Sequence, residues 1–105
     1  MTEVEFFTGG EKLLGFRVHG HSGYAEAGED IVCAAVSSAV IMTINTVTDI
    51  LHINAQVNVG DGDALLKIQK KSAEACQSHL QGLRLHLLEL EKQYSEFLKV
   101  KFTEV

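Results

Sequence analysis

The sequence predicts an α+β domain of order β-β-α-β-β-α-β, with two helices packed on a mainly antiparallel sheet. Three observations carry that prediction. Two pairs of short runs rich in β-formers are joined by glycine-rich turns, at Gly9-Gly10 and at Gly60-Asp61-Gly62-Asp63. A long stretch with apolar residues at helical spacing follows each pair, and a last run with Phe97, Val100 and Phe102 supplies a fifth strand. There is no proline, low-complexity tract or internal repeat, so residues 1–105 read as one domain.

Val4 to Thr8 forms the first strand. Gly9-Gly10 gives a turn that accepts positive φ, and Leu13 to Val18 returns as the second strand of a hairpin. Ser22 to Glu29 is small, polar and glycine-containing, which predicts a loop. Asp30 is a natural N-cap for a helix beginning at Ile31, because its carboxylate can accept a backbone N–H of the first turn. That helix is apolar around much of its circumference, through Val32, Ala35, Val36, Ala39, Val40, Ile44, Val47, Ile50 and Leu51. Such a pattern belongs to a helix buried on more than one side. Its β-branched residues lower intrinsic propensity, so packing must hold it, and His52 closes it at the negative end of the dipole.

Ala55 to Val59 and Leu65 to Gln69 make the second hairpin; its acidic turn has too few oxygen ligands for a calcium loop. The second helix runs from about Ser72 to Gln93, with Cys76, Leu80, Leu83, Leu87, Leu90 and Tyr94 forming one stripe.

Composition limits the function classes. Hydrophobic residues make up 46% of the chain, enough to build a core. Fourteen acidic against nine basic residues give a formal net charge of −5, and no Lys/Arg cluster exceeds Lys70-Lys71. Direct nucleic-acid binding is therefore disfavoured. Met1-Thr2-Glu3-Val4-Glu5 lacks the features of a signal peptide. The apolar-rich stretch from Ile31 to Leu51 is broken by Ser37, Ser38, Thr43, Asn45, Thr46, Thr48 and Asp49, which argues against a membrane span. A reducing cytoplasm is the expectation, with Cys33 and Cys76 as free thiols.

The segment from His19 to Ser38 carries the chemistry. With Asp30 as the cap, Cys33 falls at the third helical position, near unpaired backbone N–H groups and the positive dipole end. Both favour a thiolate. The eleven residues between His21 and Cys33 are enough to fold an imidazole back onto the helix start, where it could take the thiol proton and later protonate a leaving amine. Ser37, one turn after Cys33, shares its helical face. Other readings stand beside this one. From spacing alone a packing role is the commoner one for such a cysteine, as is a hydroxyl bonded back to a preceding carbonyl for Ser37. His19 and His21, two apart on a strand, would share a face and with Cys33 give three zinc ligands, although a fourth is missing at usual spacing. Cys76, in the stripe of the second helix, reads as core. His79 and His86 read as a solvated flank.

The pattern Gly20-His21-Ser22-Gly23-Tyr24, followed by Gly28-Glu29-Asp30-Ile31-Val32-Cys33-Ala34-Ala35-Val36-Ser37, resembles the ribosomal-processing cysteine protease (Prp) family. The likeness covers essentially the whole chain. It implies a homodimeric bacterial endopeptidase that trims the N-terminal extension of ribosomal large-subunit protein twenty-seven, ahead of whose scissile bond lies an aromatic pair. No cofactor or metal is implied. The family's histidine falls on His21 and its nucleophile on Cys33, with Asp30 and Ser37 at accessory positions. The loop between them, containing Gly23 and Gly28, would gate the site. The rival to a protease is a dimeric module that holds a peptide or ribosomal protein without cutting it.

Overall fold

The computed structural model describes residues 1–20 and 27–105, and of residues 27–30 only the backbone. Among the described residues five strands form one sheet: β1 (Thr2–Gly9), β2 (Lys12–His19), β3 (Gln56–Gly60), β4 (Asp63–Lys67) and β5 (Leu98–Glu104). Their order is β3-β4-β2-β1-β5, antiparallel except for the parallel pair β1/β5. The expected element order and the mainly antiparallel sheet are both present.

Alternation of side chains along each strand gives the sheet two different faces. On one face the registers align Phe102, Phe6, Phe16, Leu66 and Val57 across all five strands. Phe6 stacks on Phe102 at 5.5 Å and meets Phe16 edge-on at 6.2 Å. The next row on that face is Val100, Val4, Val18, Ala64 and Val59. The opposite face carries Glu3, Glu5, Arg17 and Lys67, with the Lys67 ammonium 4.9 Å above the Phe7 ring. One register irregularity, between Phe7 and Thr8, inserts an extra residue into β2 and explains why Leu13 and Leu14 are both buried.

Both helices cover the apolar face. α1 (Ala27–Asn45), extended by a π-helical turn (Thr46–Ile50), buries Val32, Val36, Val40, Ile44 and Val47. α2 (Ala73–Gln93), entered through a 3-10 turn (Lys70–Ser72), buries Cys76, Leu80, Leu83 and Leu87, the predicted stripe. Leu90 and Tyr94 pack at its margin. By length and composition Ile31–Ile50 is long and apolar enough to cross a membrane. Its valine stripe instead closes the core over the sheet.

Two expectations for α1 change. It is not covered on more than one side within this chain: Ile31, Ile41, Met42 and Ile50 are exposed along its outer surface. It also begins a full turn earlier than Ile31. Asp30 is therefore a residue of the helix and not its N-cap, Gly28 belongs to the helix and not to a loop, and Cys33 lies in the second turn. The physical reason is local. Ala27 is a strong helix former, Glu29 and Asp30 place acidic residues in the turn where the dipole is positive, and a glycine near a helix end costs little.

Candidate active site

α1 places Cys33 above the end of β1. Cys33 is partly buried and a free thiol, as is the fully buried Cys76. The Cys33 Sγ lies 3.5 Å from the Thr2 Oγ1. Thr2 is the single polar residue among the buried residues of β1, and its backbone N–H donates to the Phe97 carbonyl at 2.9 Å.

Beside the sulfur lies a cavity of about 300 Å³. One wall is α1, through Cys33, Ser37, Val40 and Ile41. Its floor is Val18, Ala64 and Val59, one residue from each of β2, β4 and β3, set side by side by the strand registers. The rim is Gly20 on one strand end and Gly60 to Asp63 around the turn of the second hairpin. These rims are joined, since the Gly20 N–H donates to the Gly62 carbonyl at 3.2 Å. Gly20 has φ +86°, and a Cβ there would lie 2.7 Å from the Met1 carbonyl oxygen, so the position requires glycine. A small apolar slot with a thiol at its end and backbone polar groups at its lip suits one side chain of a peptide better than a whole ligand.

The structure separates the sequence candidates. Ser37 lines the same cavity as Cys33, one turn along α1. His19 pairs with Glu3, the two side chains 3.6 Å apart, on the sheet face opposite the helices. It therefore cannot join Cys33 in a zinc site, and among the described residues no group of three His, Cys, Asp or Glu side chains could hold a metal. β2 stops at His19, and Gly20 after it is in the left-handed region. His21 and Gly23 lie outside the described residues, and Asp30 is described by its backbone alone. The earlier helix start removes the unpaired first-turn N–H groups from the neighbourhood of Cys33, because those belong to residues before it. Thr2 and the floor residues Val18, Val59 and Ala64 were not singled out by the sequence; only the strand registers bring them to the thiol.

The family model of the cysteine protease Prp matches residues 1–99. The chain belongs to the Prp family of cysteine proteases. It is 24% identical over 94 residues to the ribosomal processing cysteine protease Prp of Bacillus subtilis (strain 168), with 84% of each chain covered. Its fold matches that of Prp from S. aureus in complex with a substrate peptide, at a TM-score of 0.88 and 23% identity, covering 98% of this chain and 100% of the other. A second S. aureus Prp structure, with a covalently linked product peptide, matches at a TM-score of 0.84 and 24% identity, over 98% and 100% of the two chains. In this Prp-family protease the reactive group of that chemical class, a cysteine thiol, has one partly accessible candidate: Cys33 is at the slot, whereas Cys76 is sealed in the core.

Proposed function

We propose that this protease removes the N-terminal extension of ribosomal large-subunit protein twenty-seven by way of an acyl-enzyme on Cys33, with His21 as general base and then general acid. The observation that carries the proposal is the position of Cys33 Sγ at one end of an apolar slot that Gly20 also lines. His21 directly follows Gly20, a residue of the slot wall, in the sequence. The names of the Prp relatives, and the peptide complexes of one of them, support peptide processing of this kind.

The chemistry runs in two halves. Sγ attacks the scissile carbonyl carbon as the thiol proton passes to the imidazole. The C–N bond then breaks and the imidazolium protonates the leaving amine. Water, deprotonated by the same imidazole, attacks the thioester and returns Sγ–H with release of the N-terminal fragment. Asp30 and Ser37 serve as accessory groups, Ser37 from the slot itself.

Incubation with a peptide spanning the extended ribosomal N-terminus tests the assignment. The parent protein yields two fragments by mass, and Cys33→Ala and His21→Ala leave the peptide intact. A Cys33→Ala variant that cuts at the parental rate removes the nucleophile, and a parent that binds without changing the mass is a binding module.

The same reading includes a homodimer in a cytoplasmic setting. Its support is the outer surface of α1, where Met42 is 67% and Ile50 70% exposed beside Ile41. Large apolar side chains grouped on one helix face favour a covering partner. Sedimentation equilibrium of the parent and of Met42→Glu checks this, with the variant expected to be monomeric at concentrations where the parent is dimeric.

A further inference from the structure

Thr2 is an unusual residue for its position. On the helix-facing side of β1 it is followed by Val4 and Phe6, and its parallel partner on β5 is Leu98, all fully or nearly fully buried and apolar. Thr2 itself is 2% exposed. A hydroxyl in such surroundings costs stability unless it finds a partner. Its partner is the sulfur of Cys33, 31 positions away in sequence and 3.5 Å away in space. Three features fix the hydroxyl there. β-branching limits the χ1 rotamers available to Thr2. Its backbone is paired with Leu98 of β5 in the sheet, and its N–H is bonded to the Phe97 carbonyl.

We infer that Thr2 is a positioning residue for the nucleophile: its hydroxyl holds the Cys33 sulfur at the end of the slot and donates to it once the thiol proton has left. The inference rests on Cys33 being the nucleophile of the proposed reaction. In the resting thiol either atom can donate. In the thiolate the sulfur carries charge and no proton, so the Thr2 O–H becomes the donor. The contact is thus stronger in the reactive state than in the resting one, which distinguishes it from simple packing. It also restrains rotation about the Cys33 Cα–Cβ bond, keeping Sγ on the slot side of the helix.

Thr2→Val keeps the shape and β-branching and removes the hydroxyl; Thr2→Ala removes it without adding a methyl group; Thr2→Ser keeps it. The rate of Cys33 alkylation by iodoacetamide, located by peptide mass mapping, is measured against pH for all four proteins. In Thr2→Val and Thr2→Ala the alkylation rate is expected to fall about threefold to tenfold across the profile. Thr2→Ser is expected to follow the parent. On the ribosomal peptide, the two variants lacking the hydroxyl should lose kcat by a similar factor with KM little changed. Parental alkylation profiles in both of these variants overturn the inference, as does an equal loss in Thr2→Ser. Because alkylation needs no peptide, a lowered rate in a protein that does not cut sustains the role of Thr2 while removing the peptidase reading.

Discussion

The side-chain amide of Gln77 on α2 makes two hydrogen bonds with the main chain of Leu13 on β2. Its Oε1 accepts the Leu13 N–H at 3.0 Å, and its Nε2 donates to the Leu13 carbonyl at 2.8 Å. The pairing sits where β2 carries its extra residue and the ladder to β1 shifts register. A side chain thus supplies the bonds that the irregular strand cannot obtain from its neighbour. Gln77→Leu preserves size and leaves both backbone groups without that partner. The expected loss is about 2 kcal/mol of stability, a fall of roughly 10 °C in Tm for a domain of this size. Gln77→Glu keeps an acceptor for the N–H but no donor, and should fall between the two in thermal melts.

Gly15 is the tightest point of the same irregularity. Its φ is +147°, and an added Cβ would lie 2.0 Å from the Leu66 carbonyl oxygen on β4. The obstacle is backbone, so no side-chain rotation can relieve it. Gly15→Ala is therefore expected to cost about 3 kcal/mol or more. Its denaturation midpoint in urea should fall well below that of Gly60→Ala, where an added Cβ meets nothing within 4 Å.

Both hairpins and both helices were legible because their signals are local. Glycine turns mark the hairpins, and the Cys76-to-Leu87 stripe needs only its own spacing to show a buried face. What escaped reading depends on residues far apart in the chain. The Thr2–Cys33 contact spans 31 positions, and Val18, Ala64 and Val59 become neighbours only once two strand registers are fixed. The sequence places the start of α1 too late because Gly28 reads as a loop residue, although Ala27, Glu29 and Asp30 favour a first helical turn there. The apolar stripe of α2 already marks Cys76 as a core residue in the sequence, and the structure agrees, since Cys76 has no access to solvent.

Burial also pushes the Cys76 thiol above its ordinary value of 9.0. As pH rises past that ordinary value, the unfolded chain loses this proton and the folded chain keeps it. Stability therefore falls with pH in that window, because the folded state binds more protons than the unfolded one. Urea denaturation from neutrality to above pH 9.0 should show a steeper decline for the parent than for Cys76→Ala. Parallel slopes would remove Cys76 as the cause. Under native conditions iodoacetamide should modify Cys33 and spare Cys76 until the protein is unfolded.

The apolar floor of the slot gives a test of substrate placement that the nucleophile alone cannot. Ala64 lies between Val18 and Val59 in the row beneath α1, and its side chain faces the cavity beside Cys33. Ala64→Leu puts three more heavy atoms into about 300 Å³ without touching the thiol or the chain at Gly20. If the slot receives the apolar side chain next to the scissile bond, kcat/KM on the ribosomal peptide should fall about tenfold or more, mainly through KM. Alkylation of Cys33 by a small reagent should stay near the parental rate. A peptide whose aromatic pair is replaced by alanine provides the closing comparison. It should be cut poorly by the parent, and Ala64→Leu should impose little further loss on it, because enzyme and substrate changes then remove the same contact. Full additivity of the two losses would place the aromatic pair elsewhere on the protein.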